Sequence, residues 1–285
     1  MKVLLTGSGG FVGSHFRSLA SCESVPFSLR HDEMERLGFE GIDAVVHLAA
    51  LVHQMHGAQE SEYRRINTEM TLELARRAKE AGVRYFLFMS TVKVYGEERE
   101  ACYEESEPCH PVDAYGESKL EAERGLLALA DETFSVGIIR APMVYGPGVG
   151  GNMSRLLWLV ERFKVLPFGK INNRRSMIYV ENLVRYMESM LVLRLKGIYN
   201  AADPEPLSTI SLVEMIARDL GVTRHVIRCA PLKWGLKLWK PELYRRLFCS
   251  LCISTEKAGK SMPELVLISS EQGIEAMIAW YRHVD

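Results

Sequence analysis

The chain has 285 residues, of which 47% are hydrophobic and 25% are charged, a composition typical of a globular protein with a large buried core. Its formal net charge of -1 and its pI of about 6.7 exclude a long-range attraction for nucleic acid or for an anionic membrane, so any anionic ligand must be bound by local groups. The sequence has no uninterrupted run of about 18 apolar residues, which excludes a membrane-spanning helix of the usual kind.

The chain begins with MKVLLTGSGG, which passes directly from a short apolar stretch to glycines. This stretch lacks the longer apolar region and the small-residue cleavage site of a secretory signal. We therefore expect a cytoplasmic protein whose cysteines are reduced, mostly buried thiols and do not form a disulfide framework. Cys249 and Cys252 form one C-x-x-C motif, but no second ligand pair occurs at zinc spacing, so we predict no zinc site.

The predicted elements alternate between strands and helices in the first half of the chain. Residues 2–6 form a short apolar strand, and residues 11–20 carry apolar side chains at helical spacing. Near-continuous apolar runs, each typical of a strand buried on both faces of a parallel sheet, recur at residues 43–50, 85–92 and 135–142. Helical patterns separate these runs, so the sequence predicts a Rossmann-type, doubly wound α/β sheet.

This alternation weakens after about residue 145, and amphipathic helices follow. We predict that residues 1–145 and about 176–200 form a dinucleotide-binding domain. The segments at about 146–175 and 201–285 are predicted to form a smaller, mostly helical lobe that binds the substrate.

A glycine cluster follows the first predicted strand. In TGSGGFVG, Gly7, Gly10 and Gly13 lie between that strand and the first helix. Glycines at these positions permit a tight turn and a close approach of the backbone to a pyrophosphate, while the helix N-terminus offers free N–H groups. Because both the strand and the helix can be identified, we predict a dinucleotide-binding loop.

The glycine spacing is G-x-x-G-x-x-G, and it occurs together with HLAA at 47–50, YGESK at 115–119, RAPMVYGPG at 140–148 and RSMIYVEN at 175–182. In combination these motifs strongly resemble the extended short-chain dehydrogenases/reductases that modify nucleotide sugars, the NAD-dependent epimerase/dehydratase family. The resemblance covers essentially the whole chain. It implies NAD or NADP as cofactor, a UDP-hexose as substrate and no nucleic-acid partner.

The resemblance also implies the catalytic residues. Tyr115 matches the family's general acid/base, and Lys119 matches the lysine that binds the nicotinamide ribose and lowers the pKa of the phenol. An unperturbed phenol titrates near pH 10, so a nearby ammonium would bring it closer to the working pH. Thr91, at the end of a predicted strand, matches the hydroxyl that shares the proton path with the tyrosine.

Further cofactor contacts follow from the same motifs: Gly7, Gly10, Phe11, Val12, Gly13, Leu48, Ala49, Ala50, Tyr115, Lys119 and Pro142. The interval between the glycine loop and HLAA is short for the family, as if one strand-helix unit had been trimmed. This interval recognises the adenosine ribose, and Arg30 within it gives a weak preference for NADP.

Thr91, Val92 and Lys93 stand where family members that remove water from the sugar have Thr-Asp-Glu. Because elimination needs that extra acid and base, a 4,6-dehydratase is not expected, and chemistry at C4 of the sugar remains. Thr91 and Lys93 are predicted to contact the substrate.

Three further residues are predicted to bind the substrate. Arg175 matches the family's diphosphate ligand, and Arg246, or Arg245 beside it, lies near the position of a second such arginine. His53 is predicted to lie in a loop over the nicotinamide and the sugar. His53 and His56 have no third ligand at suitable spacing, so no metal is predicted.

Residues 233–246, KWGLKLWKPELYRR, interleave basic residues with Trp234, Leu238 and Trp239. Such a segment can lie on a membrane surface. It is short, however, and Pro241 interrupts it where the lobe must cover the sugar pocket. We therefore predict no stable membrane insertion.

The details of the motifs most resemble bacterial 4-ketoreductases that reduce a UDP-4-keto-6-deoxy-N-acetylhexosamine for surface polysaccharides. An NAD-dependent UDP-hexose 4-epimerase would use the same residues and is the alternative. A non-catalytic NAD(P)-binding redox sensor is a remote one. Many relatives dimerise through helices like those predicted around TLELARRAKEA and SKLEAERGLLAL, so a homodimer is expected.

Overall fold

The computed structural model describes the chain apart from residues 30–33, 35–36, 53–58, 97–98, 100, 170, 228 and 285, and apart from the side chains of residues 230, 232, 233, 242, 246 and 284. The strands in the described part are β1 (Lys2–Thr6), β2 (Glu23–Phe27), β3 (Ala44–His47), β4 (Tyr85–Thr91), β5 (Ser135–Ala141), β6 (Met143–Tyr145), β7 (Val165–Leu166), β8 (Met177–Tyr179), β9 (Gly197–Asn200) and β10 (His225–Val226). The α-helices there are α1 (Phe11–Leu19), α2 (Glu60–Tyr63), α3 (Met70–Glu80), α4 (Ala114–Leu129), α5 (Gly151–Arg162), α6 (Val180–Leu193), α7 (Thr209–Asp219), α8 (Ala230–Trp239), α9 (Pro241–Phe248), α10 (Glu256–Ser261) and α11 (Ser270–Val284). None of these described helices is long and apolar enough to cross a lipid bilayer.

The main sheet has six parallel strands in the order β2-β1-β3-β4-β5-β9. This arrangement confirms the predicted α/β fold. The sequence pattern did not predict β2, because its ESVPF segment is only partly buried and contains a proline. Its position at the edge of the sheet explains this, since Pro26 has no N–H group and an edge strand tolerates the missing hydrogen bond.

The central strands are apolar along their whole length because helices cover both faces of the sheet. Side chains of β1 alternate between the faces: Val3 and Leu5 pack with α1 and α6, whereas Leu4 packs with α3 and α4. The period of two along each strand therefore divides one apolar run between two cores.

A separate core lies among α5, α7 and α11. Tyr145 of β6 and Tyr179 of β8 belong to it, and β6 and β8 form a small parallel sheet of their own. A second small sheet joins β7 to β10. In contrast, α6 packs against α1, and β9 completes the main sheet.

A disulfide joins Cys102 to Cys252, whose Cα atoms lie 4.4 Å apart. The expectation of reduced thiols is therefore wrong at these two positions. Backbone pairing brings the two segments together: Tyr103 N donates to Cys252 O at 2.8 Å, and Ser254 N donates to Tyr103 O at 2.8 Å. Because 150 residues separate the two cysteines, no local pattern could have indicated the pair. Cys249, the first cysteine of the C-x-x-C motif, is not part of this disulfide.

Candidate active site

The turn after β1 is built so that only glycine fits at two of its positions. Gly7 has a φ of +70°, and a Cβ on it would lie 2.6 Å from the backbone nitrogen of Ala49. A Cβ on Gly13 would lie 2.1 Å from the carbonyl oxygen of Gly7. Gly10 precedes α1, and no described side chain caps the N–H groups of the first turn of that helix. These features fit the backbone cradle that a pyrophosphate requires.

The other predicted cofactor residues lie around this turn or at the same edge of the sheet. Phe11 and Val12 open α1, and Leu48, Ala49 and Ala50 follow β3. The Leu48 and Ala49 amides donate to the carbonyl and to the hydroxyl of Thr6, each at 3.3 Å. Pro142 follows β5, at the level where that strand pairs with the end of β4. The structure therefore brings these residues together at the carboxyl ends of the strands, where open α/β sheets bind their ligands.

Asn67 joins this edge to α4 and was missed by the sequence analysis. It lies in a π-helical turn, Arg64–Glu69, and its side chain is fully buried. Its Oδ1 accepts from Leu51 N at 2.8 Å, while its Nδ2 donates to Leu51 O and to Ser118 Oγ, both at 3.0 Å. Asn67 thus ties the segment after HLAA to the turn of α4 that bears the catalytic pair. The only sequence signal is a polar residue within an otherwise amphipathic helix.

The three predicted catalytic residues converge at the ends of β4 and α4. Thr91 is the last residue of β4, Tyr115 lies in the first turn of α4, and Lys119 lies one turn further along. The Thr91 hydroxyl is close enough to the Tyr115 phenol to lower its pKa through hydrogen bonding. Lys119 is buried; its Nζ donates to Met89 O at 2.8 Å and lies 4.4 Å from the centre of the Phe88 ring.

Burial dominates the electrostatics of this site. It raises the pKa of Tyr115 to about 12, with further raising by the Asp113 carboxylate and by Tyr63, against a lowering by the hydrogen bond with Thr91. Burial also lowers the pKa of Lys119 to about 7, although the Glu123 carboxylate opposes this shift. That Lys119 lowers the pKa of Tyr115 stays a prediction, and it concerns the site with the cofactor bound.

Lys93, predicted to contact the substrate, forms an ion pair with Asp113. Its backbone N–H also donates to Thr91 Oγ1 at 3.3 Å, so the pair lies beside the catalytic hydroxyls. Asp113 caps α4: its Oδ1 accepts from Gly116 N at 2.7 Å. Sequence analysis missed Asp113, although an aspartate directly before a predicted helix is a recognised capping signal.

A buried ion pair lies beneath the catalytic residues. The Arg140 guanidinium donates to the Glu123 carboxylate, with Nη2 2.6 Å from Oε2, and Ser90 Oγ donates to the same carboxylate. Ser90 directly precedes Thr91 and is paired with Arg140 across β4 and β5, while Glu123 is one turn beyond Lys119. The pair therefore holds β4, β5 and α4 together directly behind the site.

His47, at the end of β3, has a structural role. Its ring nitrogens share hydrogen bonds with the hydroxyls of Thr6 at 2.8 Å and Thr71 at 2.9 Å. Burial, with a smaller effect of the Lys119 charge, lowers the pKa of His47 to about 3, so the ring is neutral at physiological pH.

The structure places Arg175 beside the segment that carries the second predicted arginine. Its Nη1 donates to Cys249 O at 3.0 Å and to Arg245 O at 3.3 Å, which attaches the end of α9 to the strand-like segment before β8. The side chain of Arg246 lies outside the described part of the chain, as do Arg30 and His53. Their predicted roles and the diphosphate role of Arg175 stay predictions.

Among the described residues, no group of three or more histidine, cysteine or acidic side chains is placed to hold a metal ion. The features that fit a ligand are instead the backbone cradle at Gly7 and the hydroxyls of Thr91 and Tyr115.

Comparisons with known proteins point to one family. The model of the NAD dependent epimerase/dehydratase family matches residues 28–202. A UDP-glucose 4-epimerase from Vibrio cholerae is 36% identical in an alignment 245 residues long that covers 76% of this chain and 75% of the relative. The N-acetyl-alpha-D-glucosaminyl-diphospho-ditrans,octacis-undecaprenol 4-epimerase of Escherichia coli O157:H7 is 29% identical over 77% of this chain and 72% of its own length. The crystal structure of a UDP-glucuronic acid 4-epimerase from Bacillus cereus with NAD has the same fold, with a TM-score of 0.78, 20% identity and coverage of 100% of this chain and 99% of that one.

Proposed function

Because the chain belongs to the NAD dependent epimerase/dehydratase family, we propose that it is an NAD(P)-dependent enzyme that epimerises C4 of a UDP-linked hexose. The convergence of Thr91, at the end of β4, with Tyr115 and Lys119 on α4 carries this proposal. The 4-epimerases from Vibrio cholerae and Escherichia coli O157:H7 support the choice of C4 epimerisation over reduction.

The residues of the glycine loop and of the HLAA segment would hold the cofactor. Bound there, NAD would supply a reversible hydride acceptor for C4 of the sugar and, in its oxidised form, a positive charge beside the site. Tyr115 takes the proton of the C4 hydroxyl as the hydrogen on C4 leaves with its electron pair. After the 4-keto sugar rotates to present its other face, Tyr115 returns that proton to the C4 oxygen, and the opposite configuration at C4 results.

The pKa values of Tyr115 and Lys119 define what must change when cofactor and substrate bind. A phenol with a pKa of about 12 is almost fully protonated at neutral pH, so cationic charge must be brought close to Tyr115 to favour the phenolate that accepts a proton. Lys119 has a pKa of about 7 and donates to Met89 O, so further acceptors for its remaining N–H groups would favour the ammonium form. Hydrogen bonding by Thr91 lowers the pKa of the phenol and so opposes the effect of burial.

The 4-ketoreductase favoured by the sequence motifs is a second reading of the same residues. In that reaction Tyr115 would donate a proton to the C4 oxygen while a hydride from external NADH or NADPH reaches C4. Stoichiometric oxidation of added NADH or NADPH by a UDP-4-keto-6-deoxyhexosamine would support the reductase. Conversion of UDP-glucose or UDP-N-acetylglucosamine without added cofactor would support the epimerase.

The sharpest test of the site is Tyr115→Phe, which removes the hydroxyl and keeps the ring. We expect kcat to fall about 10²- to 10⁴-fold, because general acid/base catalysis contributes that much. The matched control is Tyr63→Phe, whose ring lies 6.3 Å from that of Tyr115, and its kcat should change by less than about threefold. Unchanged turnover of every sugar nucleotide by Tyr115→Phe would contradict the proposed function.

A second candidate substrate carries its sugar on diphospho-undecaprenol. The relative from Escherichia coli O157:H7 is named for such a substrate, and α8 and α9 expose large apolar side chains beside the backbone that accepts from Arg175. Parallel assays with UDP-N-acetylglucosamine and with N-acetylglucosaminyl-diphospho-undecaprenol in detergent distinguish the two. A cytoplasmic location, a homodimer and the division into domain and lobe stay predictions.

A further inference from the structure

The helical hairpin formed by α8 and α9 exposes an unusual set of side chains. Trp234, Leu238 and Trp239 have exposed fractions of 66%, 73% and 88%, and Leu243 on α9 is also exposed. Trp234 and Leu238 are four residues apart, so they lie on the same face of α8. Side chains of this size are usually at least partly covered, and four of them together form an apolar surface with no role in the proposed chemistry.

Cationic side chains border this surface. Lys237 and Lys240 are exposed beside the tryptophans, and Lys237 Nζ lies 5.9 Å from the centre of the Tyr244 ring. In sequence, residues 230–248 also contain Lys233, Arg245 and Arg246, against Glu242 as their single acid. A chain with a formal net charge of -1 thus concentrates positive charge in one short segment.

The base of the hairpin is held firmly by the lobe. Leu247 and Phe248 pack against the core formed by α5, α7 and α11. The carbonyl oxygen of Leu247 accepts from Thr209 Oγ1 at 2.8 Å and from Asn173 Nδ2 at 3.3 Å. The connection between the helices, around Lys240, lies at the opposite end, so the exposed tryptophans are presented on an anchored support.

We propose that this hairpin docks on the surface of an anionic phospholipid bilayer. Tryptophan prefers the level of the lipid headgroups, where its ring is buried and its N–H group stays near water. Lysines around an apolar face add attraction to anionic lipid and are characteristic of helices that lie in the interface. With ten and eight residues, the helices extend only about 15 Å and 12 Å, much less than the roughly 30 Å of the hydrocarbon core, so they would lie on the bilayer without crossing it.

The charge of the hairpin favours an anionic bilayer over a second copy of the chain as its binding partner. Two copies meeting face to face would bring the lysines of both hairpins together, with few acids available to pair them. An anionic headgroup layer supplies the opposite charge. The inference holds for either diphosphate-linked substrate, because it concerns where the enzyme lies and not what it converts.

The test measures binding of the full chain to vesicles by sedimentation and by the blue shift of tryptophan fluorescence. We expect binding to vesicles of phosphatidylcholine with phosphatidylglycerol, much weaker binding to pure phosphatidylcholine, and a decrease with added salt. The double variant Trp234→Ser/Trp239→Ser should bind at least about tenfold more weakly. The variant Lys237→Glu/Lys240→Glu should lose the preference for phosphatidylglycerol.

Trp158→Ser provides the matched control, because Trp158 is an exposed tryptophan of α5 outside the hairpin; its vesicle binding should equal that of the wild type. Failure of the wild type to bind phosphatidylglycerol vesicles, or equal binding by the double tryptophan variant, would overturn the proposal. So would a wild-type dimer that the same variant converts to a monomer in light scattering, since that result identifies a second copy as the occupant. Turnover of a soluble UDP-sugar without vesicles should be the same in the variant and the wild type, which separates this proposal from the proposed function.

Discussion

Two ion pairs flank the catalytic hydroxyls, and they differ in their surroundings. The side chains of Arg140 and Glu123, beneath the site, are 3% and 1% exposed. Those of Lys93 and Asp113, at its mouth, are 23% and 20% exposed. Both pairs lie next to Thr91 in the chain or in space, so the site has a dry ionic layer on one side and a partly solvated one on the other.

Because of this difference, we expect the buried pair to affect the stability of the fold and the partly solvated pair to affect the pKa of Tyr115. In the dry layer, removal of one partner leaves a charge without solvent, and the cost falls on the fold. At the mouth, water screens both charges, so the pair contributes little to stability. The Asp113 carboxylate nevertheless raises the pKa of Tyr115. The Lys93–Asp113 pair can therefore change the chemistry, whereas the buried Arg140–Glu123 pair stabilises the fold around the site.

Breaking the buried pair should have the largest effect. Glu123→Gln keeps the size of the side chain but leaves Arg140 without its counter-charge, and we expect a loss of about 3–5 kcal/mol in the free energy of unfolding. Chemical denaturation measures this loss. Glu121→Gln, on the same helix, removes a partner lying 3.6 Å from Arg64 at the surface and should cost less than about 1 kcal/mol. Equal losses in the two variants would show that burial does not distinguish these pairs.

Breaking the Cys102–Cys252 disulfide should have the second-largest effect. The Cys102–Cys252 disulfide ties the loop before α4 to the segment after α9, and Cys102→Ser should lower the free energy of unfolding by about 2–4 kcal/mol. Reduction of the wild type with dithiothreitol should reproduce that loss and should leave the variant unchanged. Cys109→Ser, which removes a free thiol, serves as the control. A wild type whose denaturation is insensitive to the reductant would contradict the role given to this bond.

Changing the charge at the mouth should have the smallest effect and the most specific one. Asp113→Asn keeps a capping side chain for α4 but removes the carboxylate that raises the pKa of Tyr115. The limb of the pH profile of kcat/KM that reports the base should therefore move to lower pH, by about one unit or less.

Lys93→Met should move the same limb to higher pH, since it leaves the Asp113 carboxylate unpaired beside Tyr115. The double variant should lie close to the wild type. Shifts in the same direction for the two single variants would show that the charges act by another route.

The sequence predicted the parts that depend on local spacing. Apolar runs indicated the central strands because residues buried on both faces must be apolar. Gly7 and Gly13 were identifiable because no other residue fits their turn. Tyr115 and Lys119 share a helix face because they are four residues apart. The edge strand with Pro26 escaped prediction, because a partly exposed strand needs no continuous apolar pattern.

The parts that depend on distant segments were decided by the tertiary structure. Asp113 meets Lys93, Asn67 meets Ser118, and Cys102 meets Cys252 only after the chain has folded, since each pair joins separate elements. Exposure of the tryptophans on α8 is likewise a property of what the rest of the lobe leaves uncovered. Periodicity along the chain thus determined the sheet, the glycine turn after β1 and the helix that carries Tyr115 and Lys119. Packing decided three other features: the charge around Tyr115, the Cys102–Cys252 disulfide and the exposed apolar surface of the hairpin. Coulomb interactions, disulfides and burial depend on distance in space and not on distance along the sequence.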